Sequence, residues 1–310
     1  MDMKHDSEHD NQTETDETKN QKSKEQGKKS FSWWRSCLLF FVLLVAGTFG
    51  KGIAKGLIRG ANSKTIKQGD ITSLRKVAER GDAEAQCLLG LCYYKGEWVN
   101  KDLKEAVIWL RKAADQGNAK AQLVLASCYQ DGKGVNQDMN ETINWFRKAA
   151  DQGLAEAQYA LGLCYHEGKA VKKDMNESVK WLRKAADQGY ARAECDLAYC
   201  FENGEGVSKD MNEAIKWYRK SAEHGYVVAQ RLLALCYFSG NGVMKDMNES
   251  VKWLRKAADQ GNAEAQCDLA YCFEKGEGVN KDLNEALKWY RKAAAQGNTE
   301  AQKSLKSLGF

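Results

Sequence analysis

The sequence predicts an all-α fold, a solenoid of stacked helix pairs, because two residue types recur at one fixed interval. A tryptophan returns every 36 residues, and a cysteine keeps the same step. A period of this length is typical of arrays in which each repeat packs mainly against its neighbours. We expect both series to be structural and buried: Trp109, Trp145, Trp181, Trp217, Trp253 and Trp289, and Cys92, Cys128, Cys164, Cys200, Cys236 and Cys272.

The chain before the array does not follow this period and divides into three segments. Residues 1–30 are polar and lack an apolar run, which predicts a disordered tail. Residues 31–50 contain an uncharged stretch with tryptophan and basic residues at its ends, which predicts a transmembrane or signal-anchor helix in contact with lipid. A cleaved signal peptide and a peripheral segment remain alternatives. Residues 51–69 are basic and glycine-rich and predict a linker.

Charge and cysteine usage narrow the function classes. The formal charge of +5, from 47 basic and 42 acidic residues, is too even to predict nucleic-acid binding. Equivalent cysteines of stacked helices should lie about 8–10 Å apart, whereas a disulfide needs Cα atoms within about 7 Å. Free thiols favour a reducing compartment. The chain is therefore predicted to be a single-pass membrane protein with its repeats on the cytoplasmic side, although charge does not indicate the orientation.

Residues 70–310 form the predicted array. A half repeat at 70–81 precedes six full repeats, and a partial repeat at 298–310 closes the chain. Such terminal pieces can cover the end repeats of a solenoid. The full repeats begin at Asp82, Asn118, Leu154, Tyr190, Tyr226 and Asn262.

The third repeat shows what each one encodes. A first helix of about 13 residues carries an apolar stripe, and a glycine-containing loop follows it. Asp174 then caps a second helix, with Glu177 three residues later, and Gly189 ends that helix. Because this carboxylate pair recurs in all six repeats at a helix start, we interpret it as capping rather than catalysis. Trp181 faces the core from the second helix.

These residues resemble Sel1-like repeats, which are 36-residue relatives of tetratricopeptide repeats. The matching pattern is A-x-A-Q-x-x-L-G-x-C-Y, then G-x-G-V, then D-x-x-x-A-x-x-W-x-x-K-A-A-x-Q-G, over residues 70–310. One departure is the absence of proline after the loop valine. The resemblance implies antiparallel helix pairs in a right-handed superhelix and an adaptor that assembles protein complexes, without naming a partner.

A partner surface is predicted from the positions at which the repeats disagree. A core position should stay similar between copies, whereas a divergent position on the first helix is free to recognise a partner. In related superhelices the first helix lines the concave surface. We therefore expect a protein or peptide to bind there, with no metal or cofactor, through Tyr94, Leu123, Tyr159, His166, Tyr199, Arg231, Phe238 and Tyr271.

Three alternatives stay open at this stage. The chain could be a secreted or injected interaction protein that uses residues 1–50 for export. It could be an enzyme of the β-lactamase-like, cysteine-rich branch of the family, since Ser73 and Lys76 match S-x-x-K, although the companion motifs are missing. It could also be a thiol sensor, for which the candidates are Cys87, Cys195 and Cys267. The prediction favoured here is a non-enzymatic adaptor.

Overall fold

The computed structural model describes residues 71–310, which contain fourteen α-helices joined by short loops and no β-strand. The chain divides into two compact bodies, residues 1–102 and residues 103–310, which are described one at a time. The predicted tail, anchor and linker, residues 1–69, lie outside the described residues.

In the first body, α1 (Ile71–Glu79) is followed by α2 (Ala83–Lys95). The second body contains α3 (Leu103–Asp115), α4 (Ala119–Asp131), α5 (Met139–Asp151), α6 (Ala155–Glu167), α7 (Met175–Asp187), α8 (Ala191–Asn203), α9 (Met211–Glu223), α10 (Val227–Ser239), α11 (Met247–Asp259), α12 (Ala263–Lys275), α13 (Leu283–Ala295) and α14 (Thr299–Ser307). Even-numbered helices are the first helices of their repeats, and odd-numbered ones are the second helices. Each helix of this body packs chiefly against the helices before and after it in the chain.

Side-chain caps start the second helices, as predicted. In α7, Asp174 Oδ1 accepts hydrogen bonds from the backbone N–H groups of Asn176 and Glu177, each at 3.0 Å. Capping of this kind satisfies amides that have no partner within the helix. The glutamate of the pair does not turn back to the cap: Glu177 forms an ion pair of 2.5 Å with Lys180. Asp138, Asp210, Asp246 and Asp282 cap their helices in the same way.

The core of the second body lies between first and second helices. Trp145 is 4% exposed, and its indole N–H donates to Glu141 Oε2 at 2.7 Å. Gly162 shows why only small residues occupy its position, because a Cβ there would lie 3.2 Å from the side chain of Leu182. The six tryptophans and six cysteines of the periodic series are all buried, and every described cysteine is a free thiol.

A chain of buried amides, here named the glutamine relay, runs through the repeats. Gln158 Nε2 donates to the Ala150 carbonyl at 3.1 Å, and Gln188 Nε2 donates to Gln158 Oε1 at 2.7 Å. The relay thus ties the start of a first helix to the helix before it and to the end of its own second helix. Three further pairs repeat the amide–amide bond: Gln122–Gln152, Gln230–Gln260 and Gln266–Gln296.

The fourth repeat replaces both amides of the relay. Glu194 stands where the other first helices carry glutamine, and His224 takes the place of the second glutamine. His224 Nδ1 lies 2.8 Å from Glu194 Oε2, and the Glu194 side chain is only 1% exposed. A carboxylate–imidazole pair therefore serves where the other repeats use two neutral amides.

The predicted localisation, a single-pass membrane protein, requires correction. None of the helices in residues 71–310 is long and apolar enough to cross a membrane. The segment on which that prediction and its lipid contact depended, residues 31–50, lies outside the described residues. The localisation of the chain is therefore not determined by its structure.

Candidate partner-binding surface

The eight residues predicted to bind a partner differ widely in exposure. Tyr271 is 40% exposed, and Tyr94, Tyr199, Arg231 and Phe238 are partly exposed. The other three are buried: Leu123 is 1%, Tyr159 6% and His166 5% exposed. The eight residues thus form no uniformly open face.

One of the three divergent positions is a buried position, contrary to the interpretation that it lies opposite the apolar stripe. It holds Leu123 in α4 and Tyr159 in α6, both described above as buried. Three cysteines at the same position are also buried, namely Cys87, Cys195 and Cys267. Divergence here reflects how neighbouring first helices pack, because the side chain at this position is directed into the repeat that follows.

The Arg231–Asp268 pair shows this packing directly. Arg231 Nε in α10 donates to Asp268 Oδ2 in α12 at 2.7 Å. The Arg231 side chain is 20% exposed and that of Asp268 is 29% exposed. An arginine predicted to meet a partner therefore already has an internal carboxylate, one repeat further along the chain.

One pair of repeats earlier, Tyr159 and Asp196 occupy the same two positions. The Tyr159 hydroxyl donates to the Asp196 carboxylate, which is 9% exposed. Burial raises the pKa of Asp196 to about 7, although the Tyr159 hydrogen bond and the nearby charge of Arg192 both oppose that shift. Unlike Asp268, Asp196 has one carboxylate oxygen, Oδ2, that accepts no hydrogen bond from any described residue.

His166 occupies a buried position near the end of α6. Its Nε2 lies 3.4 Å from Glu205 Oε2 in the loop after α8. Burial lowers the pKa of His166, and the neighbouring Glu205 partly opposes this shift. The imidazole thus contacts the next repeat of its own chain.

The open part of the surface is aromatic. Tyr199, Phe238 and Tyr271 project from α8, α10 and α12. Burial raises the pKa of Tyr199 to about 12, so its hydroxyl stays neutral and able to donate a hydrogen bond near pH 7. Lysine ammonium groups lie 6.0 Å from the ring of Phe238 and 5.8 Å from that of Tyr271. We define these three residues as the aromatic surface.

The thiol-sensor alternative depended on accessible sulfur atoms at Cys87, Cys195 and Cys267. All three are less than 10% exposed. Burial raises the pKa of Cys195 well above its ordinary value and that of Cys267 to about 12. Because the thiolate is the reactive form, these positions are unsuited to sensing. Within residues 71–310, no three metal-ligating side chains lie together as a metal site would require.

Sequence reasoning missed Asp196 and Asp268 as functional positions. The period contained a signal for both, since each aspartate lies 37 residues after a polar side chain, Tyr159 or Arg231. Where the first residue of such a pair is apolar, as at Leu123 and Cys195, the residue 37 positions later is apolar too, Ala160 or Leu232. Matching each divergent position with the next repeat would have indicated these contacts.

Comparisons with known proteins agree with this architecture. A crystal structure of a protective antigen from uropathogenic Escherichia coli, described as displaying an SLR fold, shares 40% identity with a TM-score of 0.72 over 75% of this chain. The match spans 50% of that protein, so this chain corresponds to about half its length. A Sel1 repeat protein from Oxalobacter formigenes shares 33% identity with a TM-score of 0.67, covering 76% of this chain and 93% of that one. No curated protein matches the sequence.

The Sel1 repeat model matches six consecutive segments of the chain, each offset by one residue from the repeats defined above. The segments are residues 83–118, 119–154, 155–190, 191–226, 227–262 and 263–298. They begin at the first residue of each full-length first helix, directly after its capping position. Solenoids of this kind present extended surfaces for binding proteins. The periodicity, the paired helices and the six matched segments together establish that this chain belongs to the Sel1 repeat family.

Proposed function

We propose that this chain is a non-enzymatic scaffold that binds a protein or peptide partner through the first helices of its repeats. The aromatic surface, Tyr199, Phe238 and Tyr271, is the observation that carries this proposal. Aromatic side chains are enriched at the energetic centres of protein interfaces, since they bury a large area and offer a polar edge. From the resemblance to related superhelices, the first helices are expected to line a concave surface.

The three buried residues of the predicted site take a different part in this proposal. Leu123, Tyr159 and His166 support the surface from below, since each is less than 10% exposed. Arg231 contributes through its pair with Asp268, which fixes one edge of the surface. Tyr94 belongs to the first body, and its place in recognition rests on the sequence pattern alone.

A capture experiment with a matched control tests the proposal. The full chain carrying Tyr199→Ala, Phe238→Ala and Tyr271→Ala is compared with one carrying Lys180→Ala, Lys216→Ala and Lys252→Ala. The control lysines are exposed on second helices and form i,i+3 ion pairs with glutamates, which contribute little to stability. Both variants should keep the helicity of the parent by circular dichroism.

The expected result is that the aromatic variant loses partners captured from the native cell extract, whereas the lysine variant keeps them. Truncating three interface aromatics at about 1–2 kcal/mol each should weaken binding by two orders of magnitude or more. Equal capture by both variants would rule out the aromatic surface as the binding site. Selective loss in the lysine variant would move the site to the second helices.

A further inference from the structure

The chain contains one carboxylate position twice, once filled and once half-filled. Asp196 and Asp268 occupy the same place in their repeats, 72 residues apart. At Asp268, the preceding repeat supplies a guanidinium group, and Arg231 Nε donates at 2.7 Å. At Asp196, the preceding repeat supplies the hydroxyl of Tyr159. A hydroxyl donates one hydrogen bond, whereas a guanidinium offers five N–H donors and a positive charge.

The second oxygen of Asp196 is therefore left without a donor. Asp196 Oδ2 is buried and accepts no hydrogen bond from the described residues, although the carboxylate as a whole is 9% exposed at the protein surface. An unpaired buried acceptor costs free energy, and a charged donor that reached it would recover that cost. The position thus favours an incoming cation.

The surroundings of Asp196 suit a cationic side chain. Tyr159 and Tyr190 lie close together, with ring centroids 5.2 Å apart and planes tilted by 54°. The guanidinium of Arg192, one turn before Asp196 on α8, lies 5.9 Å from the ring centre of Tyr226. Tyrosine rings attract cations through their faces and accept the flat guanidinium group by stacking. Tyr199, one turn after Asp196 on the same helix, belongs to the aromatic surface and connects this place to it.

We propose that Asp196, framed by Tyr159 and Tyr190, is a subsite that binds an arginine or lysine side chain of the partner. The Arg231–Asp268 contact is its template, because it shows a guanidinium against the same carboxylate position within this chain. This inference rests on the proposed binding function and adds the chemical class of a residue that the surface recognises: a cation inserted beside an aromatic patch.

The test uses the purified full chain and a defined probe, so it does not depend on identifying the partner. The probe is the capped peptide acetyl-Gly-Arg-Gly-amide, and its control is the same peptide with citrulline, which has nearly the same shape without the charge. The readout is the 13C signal of the Asp196 carboxyl carbon in aspartate-labelled protein, identified by its disappearance in Asp196→Asn. We expect the arginine peptide to shift this signal in a saturable manner and the citrulline peptide to leave it nearly unchanged.

Two variants make the test specific. Asp196→Asn removes the charge, and Tyr159→Arg places a guanidinium opposite Asp196, as Arg231 stands opposite Asp268. Each should weaken arginine-peptide binding at least tenfold, the loss expected for a charge-assisted hydrogen bond, as followed by the tyrosine ring signals. Asp268→Asn is the control and should leave binding unchanged. Tyr159→Arg also guards against a folding defect, since it repeats a contact that the chain already contains.

Defined outcomes would overturn the subsite. Equal response to the arginine and citrulline peptides, no response to either, or undiminished binding by Asp196→Asn would each refute it. Failure of the proposed function would look different: the aromatic variant would keep its partners in the capture experiment while the arginine peptide still bound at Asp196. The two hypotheses can therefore fail independently.

Discussion

The raised pKa of Asp196 makes a quantitative prediction about stability. In the folded chain this pKa is about 7, because burial outweighs the Tyr159 hydrogen bond and the charge of Arg192. In the unfolded chain it should return to its ordinary value of 3.8. Between these two pH values the folded state holds a proton that the unfolded state has released. The free energy of unfolding should therefore fall as pH rises from about 4 to about 7 and level off above that.

The size of this effect follows from the shift. A difference of about three pKa units corresponds to about 4 kcal/mol at 1.36 kcal/mol per unit. The assay is urea unfolding followed by circular dichroism at pH values from 4 to 8, on the parent and on Asp196→Asn. Since other groups titrate in both proteins, the informative quantity is the difference between their free energies of unfolding. It should change by about 4 kcal/mol across this range, with the parent losing stability relative to the variant at higher pH.

Parallel pH profiles for the two proteins would refute this reasoning, because the buried carboxyl would then titrate at its ordinary pH in the folded chain. A profile that changes in the opposite direction would mean that the folded state favours the ionised form. Asp268→Asn is a useful reference, since Asp268 faces the guanidinium of Arg231 rather than a hydroxyl.

Two further predictions concern stability. Gly206→Ala should lower the free energy of unfolding by more than Gly225→Ala, since both have positive φ but only at Gly206 would a Cβ collide with the backbone of Met175; we expect a difference of about 1–3 kcal/mol in urea unfolding, and equal losses would contradict the close approach. His224→Ala should cost about 1–3 kcal/mol, because it leaves the Glu194 carboxylate buried without its imidazole partner, and adding Glu194→Gln should recover most of that loss in the same assay. Absence of rescue would mean that the two residues do not act as a pair.

The sequence alone predicted the fold with good accuracy, and the reason is local. Caps such as Asp174 and Asn262 and the positive-φ glycines mark helix ends by short-range chemistry that recurs in every copy. Helix α6 has the predicted length of 13 residues. The period of tryptophan and cysteine then required helix pairs in a row, which the structure confirms.

The candidate site was harder to predict because its contacts join different repeats. The bond between Arg231 and Asp268, and that between Tyr159 and Asp196, depend on the register of adjacent first helices, which no single repeat encodes. Residue type also misled the prediction, since a buried tyrosine and an exposed one look the same in sequence. Whether the open aromatics bind a partner remains a prediction.

The pairing between neighbouring first helices has a consequence for how such a chain can change length. Loss of the fifth repeat alone would place Cys195 opposite Asp268 and strand a carboxylate against a thiol. Loss of the fourth and fifth together would place Tyr159 opposite Asp268, which is the same combination that Tyr159 already makes with Asp196. Deletions and duplications that conserve these contacts must therefore come in steps of two repeats, the length of the copied block visible in the sequence.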